Sequence, residues 1–497
     1  MATDTPTRNT PKTGFSPGAF EIKSLVMTNS GGATRDIRNL LESFSITEEL
    51  YSPVLTFNGR FRDDKNFFSD FNISGQEIID VKISKTITSG LNERGEKASS
   101  TKTSTNEITL KFYVKEYPNY TRTLDFPSVQ LFSVVAISDF AYINNLKKIS
   151  KSIKGNVAKN IQDIFSTELY KEVRIRGRCV SEFDGIITIQ PPLKALDWLR
   201  RRAFDGTGSP FFLYSTISEP TGKVTLASWK EISSGASLFT YTYRQLIKNK
   251  PGTQAAYDEE LSRILDMKST IGLDKLKMAN LGAYANKTYI TDYAMKTYTN
   301  KEFDLKKKSK ATPNYNNKSN EAKAGLAGYN SFQDYKKAGY KWNKPDTTVD
   351  NQKTTDSFTS FEYKINGTSA KGLTLYDTYE ASQSFIQINT ASADNALPNS
   401  TTGPVQDNIN FAKSFFALMN ESSHNVVVYG DLRLNPGTKI KLKIPKALRR
   451  EANETEPDED ALLSGEYIIT VASHNFSDGV YTSQLKVVKN NLPKGAY

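Results

Sequence analysis

The chain has 497 residues, of which 37% are hydrophobic, and it carries a formal net charge of +11 at pH 7. That length predicts several domains, since a domain usually holds about 100 to 200 residues. The single cysteine, Cys179, excludes an intrachain disulfide and every cysteine-rich zinc pattern. The basic charge suits an acidic partner, but lysine-rich polar stretches are equally typical of solvated loops.

The first residues have the composition of a flexible arm. The segment MATDTPTRNTPKTGFSPG is rich in Thr and Pro and has no apolar core, so residues 1–19 are predicted to be an arm and not an export signal. The longest apolar stretch, Phe126 to Ile143, is interrupted by Pro127, Gln130 and Asp139, so no membrane span is expected. We therefore expect a soluble protein that is made in a cytoplasm.

Alternating apolar and polar residues predict a first β-barrel domain over residues 20–125. A strand places successive side chains on opposite faces, so apolar residues two apart mark a buried face. Three stretches follow this pattern: VLTFNGRF with Leu55, Phe57 and Phe61, IIDVKIS with Ile79, Val81 and Ile83, and EITLKFYV with Ile108, Leu110, Phe112 and Val114. Several half-buried strands joined by turns are typical of an antiparallel barrel or sandwich.

Residues 126–255 predict an α+β middle domain, because helical spacing replaces the alternation. Apolar residues lie at helical intervals in NVAKNIQDIF and again in LKALDWLRRRAF. The strand candidates PFFLYSTI and KVTLASW follow. Arg200, Arg201 and Arg202 form the sharpest basic run, which we interpret as a helix-end surface that needs no ligand.

The rest of the chain is interpreted as a second β-barrel that an insertion interrupts. Residues 256–304 supply its first part, and residues 408–497 supply a helix, starting near Asn408, and the remaining strands. Residues 305–407 are rich in Lys, Asn, Ser and Thr and predict a polar insertion that is partly ordered at best. The predicted fold class is mainly β, with two antiparallel β-barrels, an α+β middle domain and the insertion.

The stretch LNPGTKIKLKIP has the clearest local pattern in the chain. Its NPG tripeptide at residues 435–437 is a type II turn signal. After the turn, apolar residues alternate with a lysine stripe made of Lys439, Lys441 and Lys443. Such a stripe can bind a partner or protect a strand edge from pairing, and the sequence leaves both roles open.

The stretch SGEYIITVASHNFSDGVYTSQLKV predicts a C-terminal hairpin. Its apolar residues have odd numbers on both strands, and a two-residue Asp478-Gly479 loop would pair odd with even positions, so we predict a three-residue loop at 477–479. The facing pairs are then Val471 and Leu485, Ile469 and Val487, and His474 and Thr482, with His474 on the polar face. We interpret His474 and Asp478 as hairpin residues and not as a catalytic dyad, because no nucleophile motif lies nearby.

The sequence contains no catalytic or cofactor motif. It lacks the P-loop, H-E-x-x-H, G-x-G-x-x-G and C-x-x-C patterns. The nearest metal candidate, Asp70 to Gly75, matches the first half of a calcium loop, but Val81 stands where the bidentate glutamate is required. We therefore predict that the protein is not an enzyme and has no catalytic, cofactor-binding or metal-binding residues.

Three stretches resemble the central baseplate hub proteins of contractile phage tails, a family related to the N-terminal part of type VI secretion spike proteins. The first is FSITEELYSPVLTFNGRFRDD followed by ISGQEIIDVKIS, which is similar to the opening barrel of that family. The second, NNLKKISKSIKGNVAKNIQDIF, is similar to the segment that leads into its middle domain. The third is YGDLRLNPGTKIKLKIP with the C-terminal hairpin, which resembles the closing hairpins of its second barrel.

The resemblance implies a homotrimer in which each subunit contributes two similar barrels, so that three subunits present six barrels in a ring. Such a ring would adapt a threefold central spike to a sixfold tail tube. It would surround the channel for the tape-measure protein and for DNA, which passes without specific binding. The implied partners are the spike, tail tube, tape-measure and baseplate wedge proteins, and the implied location is the virion tail baseplate, after assembly in the host cytoplasm.

The insertion at 305–407 departs from the hub pattern, and its role stays open. The absence of the trailing domain of the fused secretion spikes favours a separate phage hub. Two alternatives remain: a host-surface-binding tail-tip protein whose Tyr-containing insertion contacts the host, and a tail-associated hydrolase, which substrate turnover would reveal.

Overall fold

A computed structural model describes most of the chain outside the arm and the insertion. The described ranges are 17–91, 97–123, 126–206, 208–218, 223–244, 253–271, 275–292, 296–304, 382–388, 422–445, 459–460 and 463–489, with four two-residue strands between 360 and 374 and the single positions Asn410, Ala412 and Phe416. Residues 1–16 of the predicted arm, and most of the predicted insertion, lie outside these ranges.

The N-terminal part of the chain forms an antiparallel sheet. Its elements are β1 (Glu21–Thr28), β2 (Thr34–Asp36), the 3-10 helix η1 (Arg38–Leu40), β3 (Leu41–Glu49), β4 (Ser52–Asp63), α1 (Phe67–Asp70), β5 (Ile78–Leu91), β6 (Lys97–Glu116), β7 (Tyr120–Thr123) and β8 (Phe126–Ser138). The strands lie in the order β2-β1-β5-β6-β8-β4-β3, with β7 beside β8. The apolar residues of the three predicted strands are all buried, which confirms those strand faces.

Strand β8 corrects one predicted boundary. The middle domain was predicted to begin at residue 126, but β8 pairs with β4 and with β6 inside this sheet. The reason lies in its own alternation, because Phe132, Val134 and Ala136 face the core. The predicted first domain therefore ends one strand too early.

The middle of the chain contains helices and two small sheets. Its elements are α2 (Asp139–Leu146), β9 (Ile149–Ile153), α3 (Val157–Glu168), β10 (Val173–Arg176), β11 (Gly185–Gln190), α4 (Pro192–Arg200), β12 (Phe211–Ser215), β13 (Val224–Ser228) and α5 (Trp229–Ser234). Strands β10, β13 and β12 form one sheet, and β9 and β11 form the other. Both predicted helices are confirmed as α3 and α4, and the Asn156 side chain caps α3 by accepting from the backbone N–H groups of Ala158 and Lys159.

The C-terminal part contains a closed barrel. Its elements are β14 (Phe239–Tyr243), α6 (Gln254–Leu261), β15 (Arg263–Ile271), α7 (Lys275–Asn280), β16 (Ala285–Asp292), β17 (Thr297–Asp304), β18 (Ser360–Phe361), β19 (Lys364–Ile365), β20 (Thr368–Ser369), β21 (Leu373–Thr374), β22 (Gln383–Ile388), β23 (Ser422–Tyr429), β24 (Lys439–Lys443), β25 (Gly465–Ser477) and β26 (Val480–Lys489). Strands β25, β24, β14, β15, β23 and β26 pair in that order, and β26 pairs back with β25 to close the ring. The fold is mainly β, as the sequence predicted.

Three placements differ from the prediction for this part. Strand β14 was assigned to the middle domain, but it lies between β24 and β15 in the barrel. Strands β16 and β17 were assigned to the barrel, but they form a separate sheet with β22. Strand β22 falls in the predicted insertion and pairs in parallel with β16, so this piece of the insertion belongs to the fold.

Strand β25 joins the two parts of the molecule into one fourteen-stranded sheet. Its first half pairs with β24, and its second half pairs with β3 of the N-terminal sheet. Within the described residues, β1 and β3 do not pair as strands. Between them, the Ile37 N–H donates to the Leu25 carbonyl at 2.9 Å. Among the described strands, the C-terminal set alone is therefore closed into a barrel by strand pairing.

Candidate functional site

The C-terminal hairpin has a two-residue loop, so the predicted three-residue loop is wrong. Ser477 faces Val480 across a loop of Asp478 and Gly479. Both loop residues have positive φ, at 51° and 74°, as a type I′ turn requires. The odd-numbered pattern was misleading because a β-bulge at Thr470 moves the buried face from odd to even positions along β25.

The bulge also changes where the histidine lies. Ile469 faces Val487, as predicted, but His474 faces Ser483 and not Thr482. The His474 side chain is fully buried and does not lie on a polar outer face. Asp478, which the sequence analysis interpreted as a hairpin residue and not as a dyad partner of His474, accepts a hydrogen bond from Ser477 Oγ at 2.9 Å. The structure therefore does not form the His474–Asp478 dyad.

A buried polar group, here named the seam cluster, lies where β3 meets the hairpin. It consists of Glu48, His474, Tyr481 and Ser483, all without exposed surface. His474 Nε2 lies 3.2 Å from Glu48 Oε1, and His474 Nδ1 lies 2.6 Å from Tyr481 Oη. The backbone N–H of Ile217 donates to the other Glu48 oxygen at 2.8 Å. The cluster thus ties the N-terminal sheet, the middle domain and the barrel together.

The seam cluster has part of the geometry of a hydrolase triad. Ser483 Oγ lies 3.3 Å from one nitrogen of His474, and a carboxylate lies near the other. A nucleophile must meet its substrate, and all three side chains are enclosed by the folded chain. Among the described residues, moreover, no group of three His, Cys, Asp or Glu could hold a metal ion. Its burial suits the cluster to holding the parts of the fold together.

Burial dominates the electrostatics of the seam. Desolvation raises the pKa of the Glu48 carboxyl, against the opposing effects of His474 and the Ile217 N–H. Burial also raises the pKa of the Tyr481 phenol well above its usual value. A buried ionisable pair of this kind is held by its mutual hydrogen bonds, so removal of one partner leaves the other poorly solvated.

A buried lysine fastens the first described residues of the chain over the seam. Lys85 has no exposed surface, donates a hydrogen bond to the Pro17 carbonyl, and lies 5.6 Å from the Tyr481 ring centroid. The Tyr481 N–H donates to the Gly18 carbonyl at 2.8 Å. Phe20 then packs edge-on against Phe476, with ring centroids 5.0 Å apart. Residues 17–20 therefore close the junction from outside.

Substitution Lys85→Met is expected to flatten the alkaline stability profile. Burial lowers the pKa of Lys85 from 10.5 to about 8. Between these values the unfolded chain binds more protons, so the lysine makes stability rise with pH, by about 3 kcal/mol in total. Denaturation of the wild type and the variant between pH 7 and about pH 10.5 measures this difference. The exposed Lys65→Met is the control, and equal slopes for all three proteins would contradict the buried state of Lys85.

Most side chains of the two basic features of the sequence have partners within the chain. Arg200 and Arg201 each lie 2.7 Å from a carboxylate oxygen of Asp197, and Arg202 stacks 4.2 Å from the Trp198 ring centroid. This arrangement supports the interpretation of the arginine run as a helix-end surface. In the lysine stripe, Lys439 pairs with Glu466 at 3.1 Å and Lys443 lies 3.9 Å from Glu459, whereas Lys441 is exposed.

The turn and the helix that border the barrel agree with the sequence. Gly437 has a φ of 81°, and the Thr438 N–H donates to the Asn435 carbonyl, as in the predicted turn. Asn410, Ala412 and Phe416 are helical, and Phe416 lies 5.3 Å from the Phe212 ring. Asn408, near which that helix was predicted to start, lies outside the described residues. No described helix is long and apolar enough to span a membrane.

Sequence reasoning missed most of the seam cluster, although a signal was present. Glu48 stands two residues after the buried Ile46, and Lys85 stands two residues after the buried Ile83. Each is a charged residue at a position where alternation predicts an apolar one. A charge on a buried face indicates a partner that is distant in sequence.

Comparisons with known proteins give structural likenesses only. No protein-family model and no curated protein matches the sequence. A tail protein from Neisseria meningitidis matches at 9% identity and a TM-score of 0.46, over 96% of this chain and 99% of that one. The 43 kDa tail protein of prophage MuSo2 from Shewanella oneidensis matches at 12% identity and a TM-score of 0.46, over 95% and 99%.

A third likeness is to an E. coli component of the type VI secretion system, at 7% identity and a TM-score of 0.38, over 96% of this chain and 78% of that one. Further matches include phage baseplates and secretion-system VgrG complexes. The solved structures that this chain resembles are phage tail and baseplate proteins and proteins related to type VI secretion spikes.

Proposed function

We propose that this chain is the structural baseplate hub of a contractile phage tail and acts as a homotrimer. The observation that carries the proposal is the fourteen-stranded sheet, in which a six-stranded barrel continues through β25 into a second antiparallel array of strands. Three copies would place six such units around one axis. That arrangement matches a threefold spike to a sixfold tube without any change in the subunit.

A ring of this kind requires the two units of each subunit to keep a fixed angle. Seven residue pairs join β3 to β25, from Ser43 opposite Ser477 to Glu49 opposite Val471. Beneath this ladder, Phe44 stacks on Phe476 with ring centroids 4.4 Å apart. The seam cluster adds hydrogen bonds at the same place. The seam is therefore suited to hold the angle between the two units fixed, and this role requires no chemical reaction at the seam.

In the proposed assembly the ring surrounds the channel of the tail. The spike binds one face, the tail tube binds the other, and baseplate wedge proteins bind the periphery. The tape-measure protein and later the DNA pass through without specific recognition. In this proposal the triad-like group of the seam cluster has no catalytic role, because it is closed to solvent.

The mass of the purified protein in solution tests the proposal. We expect three times the chain mass of 55.5 kDa, and a larger complex when the candidate spike protein of the same tail is added. Averaged electron-microscope images viewed along the axis should show six similar units around a channel. A stable monomer that does not bind the spike would refute the hub role. Equimolar addition of an unrelated trimeric protein is the control for nonspecific association.

A further inference from the structure

The middle domain exposes an unusual amount of apolar surface in one region. Leu146, Tyr170, Ile186 and Ile189 are 76%, 70%, 71% and 75% exposed, more than any other large apolar side chain described. Leu146 ends α2, Tyr170 lies two residues after the end of α3, and Ile186 and Ile189 belong to β11. Lys147 follows Leu146, and its Nζ lies 5.5 Å from the Tyr170 ring centroid. The two isoleucines lie on one strand, and an exposed apolar patch of this kind marks an interaction surface.

A bulge in β11 turns one of these side chains outward. Ile187 faces Lys151 and Gln190 faces Ile149, so β11 has one residue more than β9 between these pairs. The extra residue places Thr188 and Ile189 together on the exposed side, next to Ile186. Regular alternation would have returned Ile189 to the core side. The chain thus exposes an isoleucine whose burial would stabilise the fold.

The same strand has a free edge. Within the part of the chain that the structure describes, β9 is the only strand that pairs with β11. Besides the ladder, the described β11 backbone has one further hydrogen bond, in which the Ile187 carbonyl accepts from Ser150 Oγ. Ser150 also belongs to β9, so this bond lies on the paired side of β11. An unprotected edge beside apolar side chains is the surface to which an extended segment adds as a further strand.

The charges around this edge favour an acidic occupant. Lys148, Lys151 and Lys154 lie on or beside β9, and Lys194 follows β11. Neither strand, nor the segment 146–155, contains an Asp or Glu. The edge therefore fits an extended segment that carries acidic side chains.

We infer that the free edge of β11 is a docking site for an extended segment of another protein in which apolar and acidic residues alternate. The backbone of that segment pairs with β11, and its apolar side chains cover Ile186 and Ile189. Its carboxylates are attracted by the lysines on and around the two strands, Lys148, Lys151, Lys154 and Lys194. The inference does not depend on the hub role, because it rests on the middle domain alone.

A short synthetic peptide in which Glu alternates with Ile and Val tests the inference on the full chain. We expect saturable binding that salt weakens, and slowed hydrogen exchange at the backbone amides of Gly185 to Gln190. The double variant Ile186→Thr, Ile189→Thr should bind at least about tenfold more weakly, since it removes apolar contacts and keeps strand propensity. The variant Leu281→Thr, at another exposed position, should bind as the wild type does.

Three results would overturn the inference. The first is unchanged hydrogen exchange in β11 at saturating peptide. The second is equal binding of a peptide with Lys in place of Glu. The third is self-association of the wild type that the Ile186→Thr, Ile189→Thr variant loses, which would make a second copy the occupant. Circular dichroism of each variant establishes that the fold is intact before binding is compared.

Discussion

Replacing His474 by alanine is expected to lower the free energy of unfolding by about 3 to 5 kcal/mol, because it leaves the Glu48 carboxyl buried without its main partner. The substitution also removes the partner of Tyr481 Oη and opens a space under β3. Urea denaturation followed by circular dichroism measures the loss. An unchanged midpoint and slope would show that the seam cluster does not hold the two parts together.

Two variants separate the charge of Glu48 from its shape. Glu48→Gln keeps an oxygen for the Ile217 N–H, so its expected cost is below about 1.5 kcal/mol. Because burial raises the folded pKa of Glu48 above 4.5, the folded chain holds the proton more tightly, and stability falls as pH rises through that window. Glu48→Gln should remove this fall. The exposed neighbouring variant Glu49→Gln should retain it.

The second large effect is expected at Gly430, where Gly430→Ala should destabilise the fold by about 3 kcal/mol or more, since it overpacks the junction. A Cβ atom at this position would lie 2.2 Å from the Tyr481 ring. The ring cannot move away easily, because it stacks on Phe476 with ring centroids 4.3 Å apart. The Tyr481 backbone is also held, since its N–H donates to the Gly18 carbonyl and its carbonyl accepts from the Gly430 N–H. Glycine is therefore required here by close approach and not by backbone conformation.

Gly235→Ala is the matched control, because its nearest neighbour would lie 3.8 Å away and its backbone is extended. We expect a change within about 0.5 kcal/mol there. Thermal and urea denaturation of both variants, under the same conditions, measure the contrast. Equal stabilities would show that the hairpin can shift away from Gly430, and the seam would then be less rigid than the ring geometry requires.

The seam gives these two predictions a functional meaning. In the proposed hub, the angle between the barrel and the N-terminal sheet sets the spacing of the six units. His474 and Gly430 lie on the barrel side of the seam and act on residues that pack against the N-terminal sheet. Variants that loosen this junction but keep both units folded should therefore lose the trimer before they lose secondary structure.

Local patterns in the sequence determined most of the secondary structure. Alternation identified the buried faces around Phe57, Val81 and Leu110, and helical spacing identified α3 and α4. The NPG turn followed from the conformations that Pro and Gly prefer. These features depend on neighbours within a few residues, so the sequence contains the information that specifies them.

Only the tertiary structure decided the hairpin register and the seam. No local sequence signal marks the bulge at Thr470. Residues distant in sequence contact it instead: the Thr470 carbonyl accepts from the Leu50 N–H, and the Thr470 hydroxyl donates to the Lys486 carbonyl. That one extra residue moved His474 from a predicted polar face to a buried site beside Glu48, 426 positions away. Burial and long-range hydrogen bonding together outweighed the local pattern.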